Sequence, residues 1–82
     1  MHLLTFGVAR EIAGAPQLDL ATEPGAPPPA TVAELHALLL SRYPALADIG
    51  AVRYAVNQSF AQASTPIHPG DELAIIPPVS GG

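Results

Sequence analysis

The chain has 82 residues and a formal charge of −4 at pH 7, with no cysteine, no lysine, and Arg10, Arg42 and Arg53 as its three fixed cations. That length makes one small domain. The missing cysteines exclude disulfides, zinc–thiolate sites and a thiol nucleophile, and the missing basic patch argues against a nucleic-acid binder. No window is long and apolar enough for a membrane span, and the first residues lack the charged and apolar regions of a signal peptide, so a cytoplasmic protein is expected. Fifteen of the apolar residues are alanine, which leaves ten Leu, five Ile and five Val to build a modest core.

In chain order, residues 1–6 read as a strand that is apolar on both faces, with Met1 and Leu3 on one and Leu4 and Phe6 on the other. Such a strand is central in its sheet or has its second face covered by a partner. Gly7 breaks the run, and residues 8–14 read as a short helical turn closed by Gly14. Residues 17–20 alternate polar and apolar, the pattern of a half-buried strand that would pair antiparallel with the first. The proline-rich stretch 21–30 reads as a stiff surface loop.

Thr31 and Glu34 form a capping box, which predicts a helix from Val32 to about Tyr43, ended by Pro44. Val32, Leu35, Leu38, Leu39 and Arg42 fall on one stripe at helical spacing, which assigns the three leucines to the core. Leu46 and Ile49 would anchor the return to the sheet. Residues 53–56 and 59–62 read as a hairpin about the turn Asn57-Gln58. A turn-rich connection over 65–71 leads to a last strand, 72–76. This ββαββ order predicts an α+β domain, a five-stranded mixed sheet packed on one main helix. Placing the first and last strands side by side and parallel makes it, by analogy, the β-grasp (ubiquitin-like) fold. The domain would occupy 1–76 and an extended tail 77–82.

Few side chains offer chemistry. His2, His36 and His68 have no ligand spacing, and His36, off the leucine stripe, reads as solvated. Asp71-Glu72 reads as part of a turn rather than an acid–base pair. No glycine-rich phosphate loop precedes a helix, and no metal site is expected. Phe6, Phe60 and Ile76 lie on strands and admit two readings: ordinary core, or an exposed apolar patch that docks a partner.

The ending is the most distinctive stretch. Pro77-Pro78-Val79-Ser80-Gly81-Gly82 leaves the last strand through two residues that cannot donate to a sheet, and it finishes on two glycines. Such a pair arises by chance at roughly half a per cent, given a glycine usage of about 7%. Residues 79–82 span at most about 14 Å when extended, a slim probe for a narrow channel. By elimination of side-chain rivals, the carboxylate of Gly82 is the candidate reactive group.

Four stretches carry a resemblance that covers essentially the whole chain: residues 6–14 (Phe-Gly-Val-Ala-Arg-Glu-Ile-Ala-Gly), 55–58 (Ala-Val-Asn-Gln), 69–73 (Pro-Gly-Asp-Glu-Leu) and the terminal 77–82. In these the chain resembles the MoaD/ThiS family of ubiquitin-like sulfur carriers, and within it the MoaD type, the small sulfur-carrier subunits of molybdopterin synthase. Gly7 stands where that family often has alanine, and Ile75-Ile76 where it often has aromatic residues. The resemblance implies a non-catalytic carrier with no cofactor of its own. Its Gly82 carboxylate would be adenylated, with ATP and Mg²⁺, by a MoeB-like enzyme. A cysteine desulfurase or rhodanese-type donor would then supply the sulfur of a thiocarboxylate. The large, MoaE-like catalytic subunit, in a heterotetramer, would transfer that sulfur to precursor Z to form the molybdopterin dithiolene.

By the same resemblance Gly81 and Gly82 are the reactive end. Phe6, Phe60, Ile76 and the tail residues Pro77, Pro78, Val79 and Ser80 would contact partners, and Arg10, by position, is the candidate to pair with a partner carboxylate. The alternatives are a ThiS-like carrier for thiazole or tRNA thiolation, and a ubiquitin-like interaction module without sulfur chemistry.

Overall fold

The computed structural model describes residues 2–19, 28–49 and 52–78. Strand β1 (His2–Thr5) leads into helix α1 (Gly7–Ala13), then strand β2 (Gln17–Asp19). Helix α2 (Val32–Arg42) is followed by a 3₁₀ segment, Pro44–Ile49. Strands β3 (Arg53–Val56), β4 (Ser59–Ala61) and β5 (Leu73–Ile76) complete the chain order.

The five strands form one sheet in the order β2-β1-β5-β3-β4. β1 and β5 are parallel, with Leu3 beside Leu73 and Thr5 beside Ile75, while the β1–β2, β3–β4 and β3–β5 pairs are antiparallel. This is the β-grasp arrangement. The last strand lies at the centre of the sheet, between the first strand and the third, so the chain leaves the domain from its best-supported strand.

One sheet face packs on α2. Leu3, Leu73, Ile75 and Tyr54 meet Val32, Leu35 and Leu39 in a core closed by Leu46 and Ile67. Thr5 is the buried polar residue among them. Its N–H donates to the carbonyl of Pro16 at 2.9 Å and its hydroxyl to that of Ala15, which ties the end of β1 to the entry of β2 and leaves no orphaned group. α2 starts as its capping box predicts: the Thr31 side chain accepts from the Glu34 N–H at 3.3 Å.

Two assignments on α2 change. Leu38, expected in the core, is half-buried, and His36, expected to be solvated, is also half-buried, with Nδ1 2.7 Å from the Tyr54 hydroxyl. The stripe is centred on Val32 and Leu39. At 3.6 residues per turn His36 lies only about 50° from that centre and Leu38 about 110°, so angle outweighs hydrophobicity. Pro29, assigned to the surface loop, is buried, and the neighbouring Ala30 carbonyl accepts from Ile67. Residues 20–27 of that loop lie outside the described residues.

Candidate functional site

Among the described residues the second face of the sheet carries no helix, and the side chains on it follow from strand alternation. Thr5 and Leu3 point to α2, so Leu4 points away, and Phe6 shares its parity. The register carries one row across four strands: Leu4 beside Ala74, Ala74 beside Ala55, and Ala55 beside Phe60. Alanines occupy the middle of this row and large apolar side chains its ends. The result is a shallow apolar concavity floored by Ala55 and Ala74 and walled by Leu4, Phe6, Phe60 and Ile76. Gln58 and Glu72 form its polar edge.

Each wall is held by local structure. Phe6 is the N-cap of α1, in extended conformation, and its carbonyl accepts from the N–H groups of Ala9 and Arg10 at 3.1 and 3.3 Å. Phe6 remains 43% exposed, and Phe60 62%. Of the two readings open for Phe6 and Phe60, the core reading therefore fails: both sit on the open face. Phe60 is on edge strand β4, with the Arg53 guanidinium carbon 4.1 Å from its ring centroid. Arg53 is two residues from Ala55, the cross-strand partner of Phe60, so this is a diagonal pair on one face.

Ile76 ends β5 opposite Arg53, and the chain passes directly into Pro77, which is half-buried, and Pro78, which is exposed. Gly7 lies beneath this exit. Its φ is +53°, and a Cβ there would stand 3.1 Å from Cγ of Pro77. The absent side chain thus lets the start of α1 approach the root of the tail closely. Val79, Ser80, Gly81 and Gly82 lie outside the described residues.

Of the residues singled out by sequence, Phe6, Phe60 and Ile76 line one concavity, and Pro77 follows Ile76 and approaches Gly7. Arg10 is exposed on α1 and does not line the concavity. Reading the sequence residue by residue missed the floor, Ala55 and Ala74, and the cation, Arg53. Their signal was available only through strand register, because an alanine matters here by being small between two large neighbours.

The remaining polar groups brace the fold. Asn57 and Gln58 both have positive φ, 52° and 69°, as a two-residue hairpin turn of this hand requires. The Asn57 side chain accepts from the Glu72 N–H at 3.0 Å and donates to Asp71 at 3.2 Å, and the Asn57 N–H donates to the Glu72 carbonyl at 2.7 Å. Asp71 also accepts from the His68 N–H at 2.8 Å. These bonds, first from the His68 backbone and then from Asn57, hold the Asp71 carboxyl below its ordinary range. The Tyr54 phenol is pushed upward by burial, so it stays neutral in its hydrogen bond with His36.

Among the described residues no three His, Asp or Glu side chains gather as a metal site, and no helix is long and apolar enough to cross a membrane.

Comparison with known proteins gives a consistent result. The model of the ThiS family matches residues 3–82. The molybdopterin synthase sulfur carrier subunit of Mycobacterium tuberculosis is 37% identical over 84 aligned residues, covering all of this chain and 96% of that protein. The subunit of the same name from Arabidopsis thaliana is 36% identical over 83 residues, covering all of this chain and 82% of that protein. Among solved structures, SAMP1 from Haloferax volcanii superposes with a TM-score of 0.77 at 27% identity, covering all of this chain and 98% of that one.

Proposed function

Because this chain belongs to the ThiS family, we propose that it is a sulfur carrier: the small subunit of a molybdopterin synthase, with its cargo held on the carboxylate of Gly82. The observation that carries this reading is the adjacency of dock and exit. Ile76 is a wall of the open apolar face and also the last residue of β5 before Pro77. A partner seated on that face is therefore beside the point where the tail departs. The relatives' common name, sulfur carrier subunit of molybdopterin synthase, supports the choice of cargo and of complex.

The chemistry follows from the terminus. A carboxylate is a poor electrophile. An adenylating enzyme of the MoeB type would join a Gly82 oxygen to the α-phosphorus of ATP, with Mg²⁺, and release pyrophosphate. Sulfur from a persulfide donor, a cysteine desulfurase or rhodanese type, would then attack the carbonyl carbon and expel AMP. Reduction of the resulting acyl disulfide by a thiol would free the thiocarboxylate. That sulfur is ionised, soft and nucleophilic, so a chain with no cysteine can still deliver it. Gly81 and Gly82 place no side chain around the reacting carbon.

Docking through the open face makes the transfer to precursor Z effectively intramolecular. The large catalytic subunit would supply the acid–base groups, so this chain is the carrier and not the catalyst.

The test is dithiolene formation with the large subunit and precursor Z. Deleting Gly82 should abolish it and leave the thermal midpoint of the domain unchanged. If the truncated chain still supports the reaction, the terminal-carboxylate mechanism is wrong. If the thiocarboxylate forms and no dithiolene follows, the acceptor is another one, as in the thiazole or tRNA alternatives.

A further inference from the structure

The open face is not electrically uniform. Arg53 stands at its tail end, opposite Ile76. Glu72 stands at the other end of β5 and lines the concavity. Four residues of extended chain separate Glu72 from Ile76, about 13 Å. Among the described residues no carboxylate lies within ion-pair distance of Arg53, whose contact is instead with the face of the Phe60 ring at 4.1 Å.

That contact has two effects. A 62% exposed phenylalanine on an edge strand would otherwise sample several rotamers, and ordering it on docking would cost affinity. The guanidinium over its face restricts it beforehand. A guanidinium that covers a ring also keeps the N–H donors around its own edge, fixed in direction and suited to a carboxylate. In a chain of net charge −4, a cation held at this position is a local reversal of sign on the surface that meets the partner.

We infer that Arg53 is a specificity-determining residue of the open face: it pins the Phe60 ring and presents a fixed cation, so that the protein seated there places a carboxylate at the tail end of the concavity and a basic group at the Glu72 end. This rests on the reading of that face as the dock for the large subunit and adds the charge pattern the large subunit must carry. A partner with the opposite polarity would meet like charges at both ends and be rejected.

The experiment uses the full chain and the large subunit of the synthase, with Kd and association rate measured between about 50 and 300 mM salt. Arg53→Ala should weaken binding at low salt by about five- to thirty-fold, slow association and flatten the salt dependence. Arg53→Lys should keep most of the salt dependence while recovering only part of the affinity, and Arg53→Glu should bind more weakly than Arg53→Ala. In the free protein, the Arg53 δ-methylene protons should resonate upfield from the Phe60 ring current and lose that shift in Phe60→Leu.

If Arg53→Ala binds as the wild type does, with an unchanged salt slope, while Phe60→Asp weakens binding, the inference is overturned and the docking face stands. If Phe60→Asp also binds normally, the docking reading falls and the inference with it.

Discussion

Phe60 is the residue at which the proposed docking can be tested apart from folding. Its ring is on the open face and contributes little to the core, whose largest fully buried side chains include Leu3, Leu35, Leu39, Leu73 and Ile75. Phe60→Asp should therefore weaken binding of the large subunit by about ten-fold or more while shifting folding stability by no more than about 0.5 kcal/mol, as for an ordinary surface substitution. Calorimetric titration beside a urea melt checks both; an unfolded variant would return Phe60 to the core. Asp71 acts in the opposite sense, on the fold alone. Its carboxyl is held below its ordinary range by the His68 N–H and the Asn57 amide, so its charged form stabilises the native state. That contribution is complete above the unfolded-state value, about pH 4, and is lost as pH falls through the lowered native value. In thermal melts the gap between wild type and Asp71→Asn should be steady from about pH 5 upward and narrow on acidification below about pH 4. A gap that widens in acid would contradict the assignment.

At the scale of elements, the β3–β4 hairpin is, among the described residues, the one place where the backbone carries a visible cost. Gln58 holds φ at +69°, a region that disfavours any side chain by about 1–2 kcal/mol relative to glycine. Gln58→Gly should raise stability by about 1 kcal/mol, read from the denaturation midpoint; a lowered midpoint would mean that the Gln58 side chain supports the turn. The elements also mark what was legible from sequence. The capping box fixed the start of α2, polar–apolar alternation located β2, and short apolar runs ended by Gly7 and by Pro77 located β1 and β5, because each is a local pattern. Single strands cannot reveal cross-strand neighbours, so the Ala55–Ala74 floor and the Arg53–Phe60 stack emerged only with the register. The leucines of α2 misled for a related reason: identity favoured Leu38, whereas the packing of the helix on β3 favoured His36 and its bond to Tyr54.

For the whole molecule, the fold serves delivery. Parallel pairing of β1 and β5 puts the last strand at the centre of the sheet, so the chain departs from a rigid mount with the apolar face beside its exit. Gly7 under Pro77 completes that mount. The chemistry assigned to Gly82 was legible in sequence by exclusion, since neither a cysteine nor a histidine cluster competes with it, and by the resemblance of the terminal six residues. The fold contributes the platform, and the reactive end lies beyond its described part. The most direct test of the carrier assignment is therefore chemical: intact-mass spectrometry of the full chain after incubation with ATP, Mg²⁺, an adenylating enzyme of the MoeB type and a persulfide donor. A sulfur carrier should show a mass gain equal to replacement of one oxygen by sulfur, localised to Gly82 by fragmentation and absent without ATP. An unchanged mass, with the same adenylating enzyme active on another carrier, would contradict that assignment.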